Sequence, residues 1–468
     1  MPMDETWIRR ARSIVGDNAV LTDKLDTEPY SRDEFASDEF ARQPVAVVKP
    51  GSEEEVSAIV KLCGESGVPI TPRGGGTGLS AGCVPAEGGL VLSLERMNNV
   101  IQADADDHTI TLQAGVTLEQ LYREVESMGL FFPPHPGDEG AMIGGVAATS
   151  AGGARAVKYG TVRRFVLGLQ VVTADGRIVE MGGRYVKSST GYNLMELMIG
   201  SEGTLGIITR VTLNLLPSPG SVQTLVVPFS TVSEAIRTVP AISHAGIIPF
   251  AVEFLEHSTI ACSEKLLKKQ WPTHEGTASL MIILDGGNDD MVMAQAEDLA
   301  NILEEHGALD VLIADQKSQQ ADIFEIRSML YEALRPGSAE LFDVCVPRSE
   351  IVGHVEFIHD LEEKYLIPLP TYGHAADGNI HTQAVNRHLK DGEFGDEISG
   401  WESIHEKLRN EIYRDIIQRG GVISGEHGIG LVKRDFISEN LGSANMDLMR
   451  AIKQALDPNG ILNPGKIF

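Results

Sequence analysis

A glycine-rich stretch near the N-terminus constrains the fold of this chain most strongly. Residues 72–82 read PRGGGTGLSAG and lie between two apolar runs typical of β-strands, VPITP and GLVLSL. A Rossmann motif requires a helix directly after the glycines, but AGCVP follows here, and no Gly-Lys-Ser/Thr is present as in a P-loop. Consecutive backbone N–H groups in such a loop can still bind a pyrophosphate, with Arg73 nearby for charge. The alternative interpretation is a mobile surface loop.

Two further glycine-rich zones follow in the first half of the chain. One reads GAMIGGVAATSAGGARAVKYG and the other GSEGTLGIITRVTLNLLP, and a hairpin-like segment with an Asp175-Gly176 turn lies between them. The stretch PSPG at residues 217–220 indicates a domain boundary, because strands then alternate with long amphipathic helices. The pattern predicts an α+β architecture, with a glycine-rich first domain and a sheet-plus-helix second domain.

Composition limits the partners of the chain. Its 468 residues carry 39 Lys+Arg against 66 Asp+Glu, a net charge of −27 that repels phosphate backbones and anionic membrane surfaces. We therefore expect no nucleic-acid partner. No signal-peptide pattern and no run of 18 apolar residues occurs, which predicts a cytoplasmic protein without an integral membrane segment. The four cysteines form no CxxC motif, so neither a disulfide framework nor an iron–sulfur cluster is indicated.

The segment TYGHAADGNIH, residues 371–381, places two histidines seven residues apart around Asp-Gly. On a helix they would be separated by about 10.5 Å along the axis, too far for one ion to bind both. A hairpin with Asp377-Gly378 as a type I′ turn instead sets His374 directly opposite His381. Directly opposed residues have Cβ atoms roughly 5 Å apart on one face. The pattern therefore predicts a hairpin in which the two histidines bind one metal ion.

The glycine-rich motifs together resemble a known family. PRGGGTGLSAG, IGGVAATSAGG, YGTVRRFVLGLQVVTADG and GSEGTLGIIT, in that order, resemble the flavin-dependent oxidoreductases with a vanillyl-alcohol-oxidase (PCMH-type) FAD domain, over about residues 44–468. The resemblance implies an FAD-binding domain of two α+β subdomains and a C-terminal substrate (cap) domain with an antiparallel sheet flanked by helices. The expected divisions are an N-terminal helical segment, 1–42; the FAD domain, 43–219; the cap domain, 220–420; and a segment returning to the flavin, 421–468.

The resemblance also implies which residues bind FAD. The first motif would lie over the pyrophosphate, the second along the ribityl chain and phosphate, and the third near the adenine. His135, in PPHPGDEG, is a candidate for covalent attachment, but the most similar members hold FAD non-covalently, so we expect it only to line the pocket. The expected FAD-binding residues are Arg73, Gly74, Gly75, Gly76, Thr77, Gly78, Leu79, Pro136, Gly137, Gly144, Gly145, Thr149, Gly152, Gly153, Gly203, Gly206, Ile208 and Asn463.

Within that family, the second half resembles the D-lactate, glycolate and D-2-hydroxyglutarate dehydrogenase branch through YGHAADGNIH, SGEHGIGLVKR and LDPNGILNPGKIF. The resemblance implies that His374, His381 and Glu426 bind a divalent metal and that His427 is the catalytic base. Two imidazoles and one carboxylate leave coordination positions open, as in catalytic sites, and suit zinc, manganese or iron. Without these motifs, a Glu-His pair would more often be two exposed surface residues with no role in a site.

The substrate carboxylate requires a guanidinium, whose two parallel N–H groups match its geometry. Arg327, in FEIRSMLYEAL, is the residue that the resemblance selects, with Arg335 and Arg348 as weaker candidates. The alternative is that Arg327 is a solvated helix residue. Gln383 lies two residues beyond His381 on the same predicted face and is expected to add a hydrogen bond to the substrate.

Two positions distinguish the substrates within the branch. The hydroxyglutarate members carry a threonine and a lysine for the distal carboxylate, where Tyr331 and Leu341 stand here. The segment LFDVCVP instead resembles the D-lactate dehydrogenases. We therefore expect a short D-2-hydroxy acid, D-lactate first and glycolate second, with D-2-hydroxyglutarate as the remaining alternative.

With no cluster of its own, the chain must pass electrons to another carrier. The expected acceptors are an electron-transfer flavoprotein, a quinone reached through a partner subunit, or a cytochrome, so the protein could lie peripherally at a membrane through a partner. The sequence leaves the oligomeric state open, with a homodimer through the second domain as one alternative. Two rival functions stay open: a flavin-binding subunit that mainly passes electrons within a complex, and an oxidase or dehydrogenase for another alcohol.

Overall fold

The computed structural model describes residues 3–35, 38–314 and 316–468, which form two compact units. The first unit comprises Met1–Gly152, Thr161–Ser218 and Glu426–Phe468, and the second comprises Gly153–Gly160 and Pro219–Gly425. The chain therefore leaves the first unit briefly after Gly152 and returns to it for its last 43 residues. Among the described residues, no helix is both long and apolar enough to cross a membrane.

The first unit contains two main sheets. One has the order β1-β2-β4-β3, in which β4 runs parallel to β2 and β3, and the other is antiparallel with the order β5-β6-β10-β8-β9. The strands are β1 (Val20–Leu21), β2 (Ala46–Val48), β3 (Ile70–Arg73), β4 (Leu90–Ser93), β5 (Val100–Asp104), β6 (Thr109–Gln113), β7 (Leu130–Phe131), β8 (Val166–Val172), β9 (Ile178–Gly182), β10 (Ile207–Asn214) and β11 (Leu216–Pro217). The helices are α1 (Glu5–Val15), α2 (Lys24–Thr27), α3 (Glu53–Ser66), α4 (Leu118–Ser127), α5 (Ile143–Thr149), α7 (Leu194–Met198), α15 (Arg434–Leu441) and α16 (Ser443–Leu456).

Helix α3 shows how local sequence sets these elements. The Ser52 side chain accepts the N–H of Glu55, and the Glu55 carboxylate accepts the N–H of Gly51, so both residues satisfy donors at the helix start. Its apolar stripe, including Ile59 and Val60, is fully buried. The helix ends at Gly67, whose φ of +65° is left-handed. Residues within this segment therefore define both ends of the helix.

The second unit is built on a single seven-stranded antiparallel sheet with the order β15-β12-β14-β13-β17-β18-β16. Its strands are β12 (Ser221–Phe229), β13 (Ala251–Glu256), β14 (Ala278–Gly286), β15 (Leu312–Ile313), β16 (Ser338–Cys345), β17 (Thr371–His374) and β18 (Asn379–Val385), and β19 (Arg387–Lys390) pairs with β20 (Glu393–Glu397). The helices are α6 (Ala156–Tyr159), α8 (Val232–His244), α9 (His257–Leu267), α10 (Asp289–Glu305), α11 (Lys317–Ser328), α12 (Leu330–Leu334), α13 (Ile351–Tyr365) and α14 (Trp401–Gln418).

The predicted α+β class, with an antiparallel sheet and helices in the second half, is confirmed by this arrangement. The apolar runs SVQTLVVPF and ASLMIILDGG form β12 and β14, whose side chains are mostly buried. The central strands β13, β17 and β18 carry polar residues in place of some apolar ones. Those residues form the candidate site of this unit.

Candidate functional site

The predicted FAD-binding residues lie in five segments of the first unit, apart from Gly153, which groups with the second unit. The loop after β3 approaches the start of α5, since a Cβ on Gly74 would lie 3.2 Å from the Met142 Cβ and 3.9 Å from the Gly145 nitrogen. Apart from its own helix, a Cβ on Gly145 would meet no atom of the described residues within 4 Å. Glycine at this position therefore leaves open space next to the loop, as a bound cofactor requires.

Asn463 links the loop after β3 to the third glycine motif. Its Nδ2 donates to the carbonyl oxygens of Gly82, at 3.0 Å, and Glu202, at 2.7 Å. Its Oδ1 is buried without a hydrogen-bond partner among the described residues. A buried acceptor without a donor is costly, so this atom fits a cofactor that brings a donor of its own.

Arg73 differs in its contacts from the sequence expectation. Its guanidinium donates to the carbonyl oxygen of Arg32, at 2.6 Å, and to Cys83 Sγ, at 3.1 Å, and it lies over the ring of Tyr30. These contacts are with protein groups that shape the loop. A contact between Arg73 and the pyrophosphate stays a prediction, as does the role of His135, whose ring stacks on Tyr122.

The segment that carries Glu426 and His427 is held by main-chain contacts in the first unit. Ser80 Oγ donates to the carbonyl oxygen of His427 at 2.9 Å. The Glu202 carboxylate accepts the N–H groups of Ile429, at 2.7 Å, and Gly430, at 2.8 Å. Ser80 belongs to the first glycine motif and Glu202 to the third. Both predicted flavin loops therefore fix the backbone next to the predicted base.

Glu202 is buried, and burial raises its pKa, while the N–H groups of Ile429 and Gly430 oppose that rise. Sequence reasoning read its motif, GSEGTLG, only as a cofactor loop and missed the residue. A charged side chain among glycines and small residues was the available signal.

The Glu426 side chain lies against the second glycine motif. A Cβ on Gly152 would come within 2.5 Å of Glu426 Oε2, so a larger residue here would require this carboxylate to move. His427 Nε2 is 3.8 Å from Glu426 Oε1. In the first unit, the predicted metal ligand and the predicted base are therefore neighbours beside the cofactor loop.

The hairpin register predicted for the two histidines is wrong. His374 pairs with Asn379 and Tyr372 pairs with His381, so the connection has four residues, and Asp377 does not adopt the positive φ of a type I′ turn. The reason is tertiary: the N–H of Ala375 donates to the carbonyl oxygen of Val252, which keeps this residue paired with β13. The histidines are instead diagonal neighbours on one face, with ring centroids 5.3 Å apart.

This face of the sheet is unusually polar for a buried surface. Strand pairing places Glu253 opposite His374, and Asp343 opposite His381. Glu253, Asp343 and Gln383 are fully buried, and the two histidines are at most 5% exposed. Burying so many polar groups is costly unless they pair or bind a ligand, which marks the face as a candidate site.

Glu253 connects two of the predicted site residues. Its Oε1 lies 2.6 Å from His374 Nδ1, and its Oε2 accepts Arg327 Nε at 2.7 Å and pairs with Arg327 Nη2. Burial raises the pKa of Glu253, but the Arg327 and His374 charges outweigh it and hold this pKa at about 2. Arg327 is thus the half-buried partner of a buried carboxylate, and the alternative of a solvated helix arginine is wrong.

The carboxylate of Asp343 is fully bound by protein donors. Its Oδ1 accepts Asn379 Nδ2 at 2.8 Å, and its Oδ2 accepts Ser424 Oγ and the Gly425 N–H, both at 3.1 Å. It thereby fixes the last residues of the second unit, directly before Glu426 in the chain. Sequence reasoning missed both Asp343 and Glu253, although an acid within each of the apolar runs FAVEFL and LFDVC was a usable signal.

Gln383 occupies the face as expected, next to Leu341, which pairs with it in β16. Its Nε2 lies 3.5 Å from the Tyr372 hydroxyl, and its Oε1 is buried without a hydrogen-bond partner among the described residues. The two weaker arginine candidates lie elsewhere: Arg335 forms an exposed pair with Glu332, and Arg348 is exposed. Gln383 therefore offers a polar atom beside an apolar neighbour.

Two family descriptions match the chain. Residues 218–467 match "FAD linked oxidases, C-terminal domain", and residues 44–182 match "FAD binding domain". The chain belongs to the FAD-linked oxidase family. The family resemblance inferred from the motifs is confirmed, and so is the presence of an FAD-binding domain.

Relatives within the FAD-linked oxidases match over nearly the whole length. D-lactate dehydrogenase of Archaeoglobus fulgidus is 42% identical over 427 residues, 91% of this chain and 92% of the relative. Glycolate oxidase subunit GlcD of Bacillus subtilis is 38% identical, over 94% and 92%. The solved structure of p-cresol methylhydroxylase is 20% identical with a TM-score of 0.80, covering 99% of this chain and 96% of that chain. The last likeness confirms the PCMH-type fold.

Proposed function

We propose that this FAD-linked oxidase is a metal-dependent dehydrogenase of short D-2-hydroxy acids, with D-lactate as its first substrate and glycolate as its second. The observation that carries the proposal is the buried polar sheet face, where Arg327 and His374 share one carboxylate, Glu253. A carboxylate-binding cation and an imidazole in one network suit a substrate with neighbouring carboxylate and hydroxyl groups. The names of the most similar relatives agree with this substrate class.

In this proposal, His374, His381 and Glu426 bind one divalent ion, zinc, manganese or iron. The donors fit such an ion, because two imidazoles and a carboxylate are the usual ligands of these metals. The contact of His374 Nδ1 with Glu253 favours the tautomer with its lone pair on Nε2, as in ligating histidines. When bound, the ion would supply Lewis acidity for the substrate hydroxyl, and non-covalent FAD would supply the hydride acceptor.

The residues of the chain would then bind the substrate and move its proton. Arg327 would bind the carboxylate, and Gln383 would add a hydrogen bond. His427 would take the hydroxyl proton as the general base, at the end of a loop whose main chain Ser80 and Glu202 hold. Fixing the backbone in this way limits the ring positions available to His427.

Substrate length follows from the side chains beside Gln383. Leu341 is buried and pairs with Gln383 across β16 and β18, so an apolar group occupies the position where hydroxyglutarate enzymes of the branch place a lysine. A second carboxylate in this location would lose its hydration without a cation in return. The proposal therefore favours lactate and glycolate over 2-hydroxyglutarate.

A second candidate function is a flavoprotein subunit of an electron-transfer complex. The 38% identity to a protein named as a glycolate oxidase subunit favours it. Its electrons would pass to an electron-transfer flavoprotein, a quinone through a partner subunit, or a cytochrome. Anaerobic addition of D-lactate separates the two: bleaching of the flavin by the isolated chain supports the dehydrogenase, whereas an unchanged spectrum supports the subunit.

The decisive experiment combines metal analysis of the purified, FAD-loaded protein with a 2-hydroxy-acid screen using an artificial dye acceptor. We expect about one divalent ion per chain, loss of activity with a chelator, and a higher kcat/KM for D-lactate than for D-2-hydroxyglutarate. The variant His374→Asn should lose the metal, while His388→Asn, at an exposed histidine, should keep it. Comparable turnover of the two acids, or activity that survives complete metal removal, would refute the proposal.

A further inference from the structure

Each oxygen of the Glu253 carboxylate contacts a different functional side chain. Oε1 is 2.6 Å from His374 Nδ1, and Oε2 is 2.7 Å from Arg327 Nε. Glu253 lies in the middle of β13, directly opposite His374 in β17, and has no exposed surface. The carboxylate therefore cannot turn toward one partner without changing its contact with the other.

We infer that Glu253 is a positioning residue that joins metal binding to substrate binding, by orienting His374 for the ion and Arg327 for the substrate carboxylate. The inference rests on the proposed function, because it assigns those roles to His374 and Arg327. Glu253 itself would touch neither the ion nor the substrate.

The physical reason lies in what each partner needs. A ligating imidazole must keep its proton on the nitrogen that faces away from the metal, and an acceptor on that nitrogen fixes both the tautomer and the ring plane. An arginine that binds a carboxylate must hold its planar guanidinium at one angle, and a pair along the Nε edge does so. The single carboxylate of Glu253 therefore orients both the imidazole of His374 and the guanidinium of Arg327.

Tyr372 supports the same geometry from the neighbouring position on β17. The Arg327 guanidinium lies 5.4 Å from the centroid of the Tyr372 ring, and that ring is 5.4 Å from the ring of His381. The arginine is thus held on one edge by Glu253 and over an aromatic face. The side chains around Glu253 therefore form a continuous set from the arginine to both histidines.

The second unit contains a matched control for this residue. Glu340, in β16, is also a buried carboxylate that pairs with a histidine and an arginine, His405 at 2.8 Å and Arg409 at 3.0 Å. It also accepts the Tyr413 hydroxyl at 3.2 Å. None of these residues belongs to the proposed site. Glu340→Gln therefore measures what loss of a buried Glu–His–Arg set does to stability alone.

The test compares Glu253→Gln with Glu340→Gln in the FAD-loaded protein. We expect both variants to lower the melting temperature. Only Glu253→Gln should weaken binding of zinc or manganese, by about 10- to 100-fold in a competition assay with a fluorescent chelator, because second-layer partners of ligating histidines have effects of this size. Only that variant should also raise the KM for D-lactate at saturating metal.

If Glu253→Gln does not fold, Glu253→Asp serves in its place, since it keeps the charge but is too short to contact both partners. Equal metal affinity and equal KM in the Glu253 and Glu340 variants would overturn the inference while leaving the proposed function intact. A wild-type protein that binds no metal and oxidises no 2-hydroxy acid would instead overturn the proposed function, and the inference with it.

Discussion

Ser80 Oγ donates a hydrogen bond to the carbonyl oxygen of His427 across 347 positions of sequence, at 2.9 Å. Two further bonds return from this segment to Ser80, because the N–H groups of Leu431 and Val432 donate to its carbonyl oxygen at 3.0 and 3.4 Å. With Glu202 on the other side, the loop is bound to both glycine-rich motifs. Its conformation is therefore set by Ser80 and Glu202, which directly adjoin the residues Leu79 and Gly203 that are proposed to hold FAD.

We predict that Glu202→Gln lowers kcat by about 10- to 100-fold while FAD content and the KM for D-lactate stay near wild type. The carboxylate accepts two N–H groups, and a neutral amide accepts them more weakly and turns a donor toward one of them, so His427 shifts. Steady-state kinetics with a dye acceptor and the flavin absorbance measure both quantities. Ser201→Ala is the control, because among the described residues that hydroxyl donates to the nearby carbonyl oxygen of Met198. An unchanged kcat in the Glu202 variant would count against the positioning of His427 by this loop.

We predict that His427→Asn slows anaerobic reduction of the flavin by D-lactate by about 100- to 10,000-fold, the range for loss of a general base. FAD content and metal content should not change, since His427 is proposed to bind neither. Stopped-flow absorbance of the flavin reports this step directly. If the rate falls less than threefold, the base lies elsewhere.

Substitutions at two adjacent glycines of α5, Gly144 and Gly145, test cofactor binding and protein packing separately. We predict that Gly145→Leu lowers FAD affinity without lowering the stability of the apoprotein, because, outside its own helix, its Cβ would meet no atom of the described residues within 4 Å. Gly144→Ala should instead destabilise the apoprotein, since its Cβ would lie 2.6 Å from the Ala114 Cβ. Thermal unfolding with and without added FAD measures both effects. Tight FAD binding by Gly145→Leu would contradict the placement of the cofactor.

The stability of the second unit should depend on pH through Glu362. Burial, and then the charge of Glu256, raise the pKa of this carboxyl to about 7, although the Leu369 N–H and His359 oppose the rise. The folded state then holds a proton that the unfolded chain releases above about pH 4.5, so stability falls as the pH rises from about 4.5 to 7.

Glu362→Gln should remove that slope and raise the free energy of unfolding at pH 7.5 by roughly 1 to 3 kcal/mol. Melting temperatures between pH 5 and 8 test it, with Glu363→Gln at the exposed neighbour as the control. A slope that persists in the Glu362 variant would assign the effect to other groups, with His359 and Glu256 next in turn.

The sequence was sufficient for the features that depend on local chemistry. The strands of the second half and the glycine-rich motifs follow from side-chain size, hydrogen-bonding capacity and period. The motifs also identified the family. Each motif or strand depends on side chains that are close together in the chain.

The features that the sequence did not predict depend on partners remote in the chain. The hairpin connection was set by Ala375 pairing with Val252, 123 positions earlier, and not by the preference of Asp-Gly for a two-residue turn. The proposed role of Glu253 likewise follows from its contacts with Arg327 and His374, which lie 74 and 121 positions away in the sequence. A charged residue in an apolar strand indicates that a partner exists, but sequence alone does not name it.

Ser80 and Glu202 both form hydrogen bonds to main-chain atoms of the loop at residues 427–430. The loop can therefore keep its path whichever side chain occupies position 427. Because the main chain is held independently of the side chain, position 427 is suitable for protein engineering. Other acid–base side chains can be introduced there while the main chain of the loop keeps its conformation.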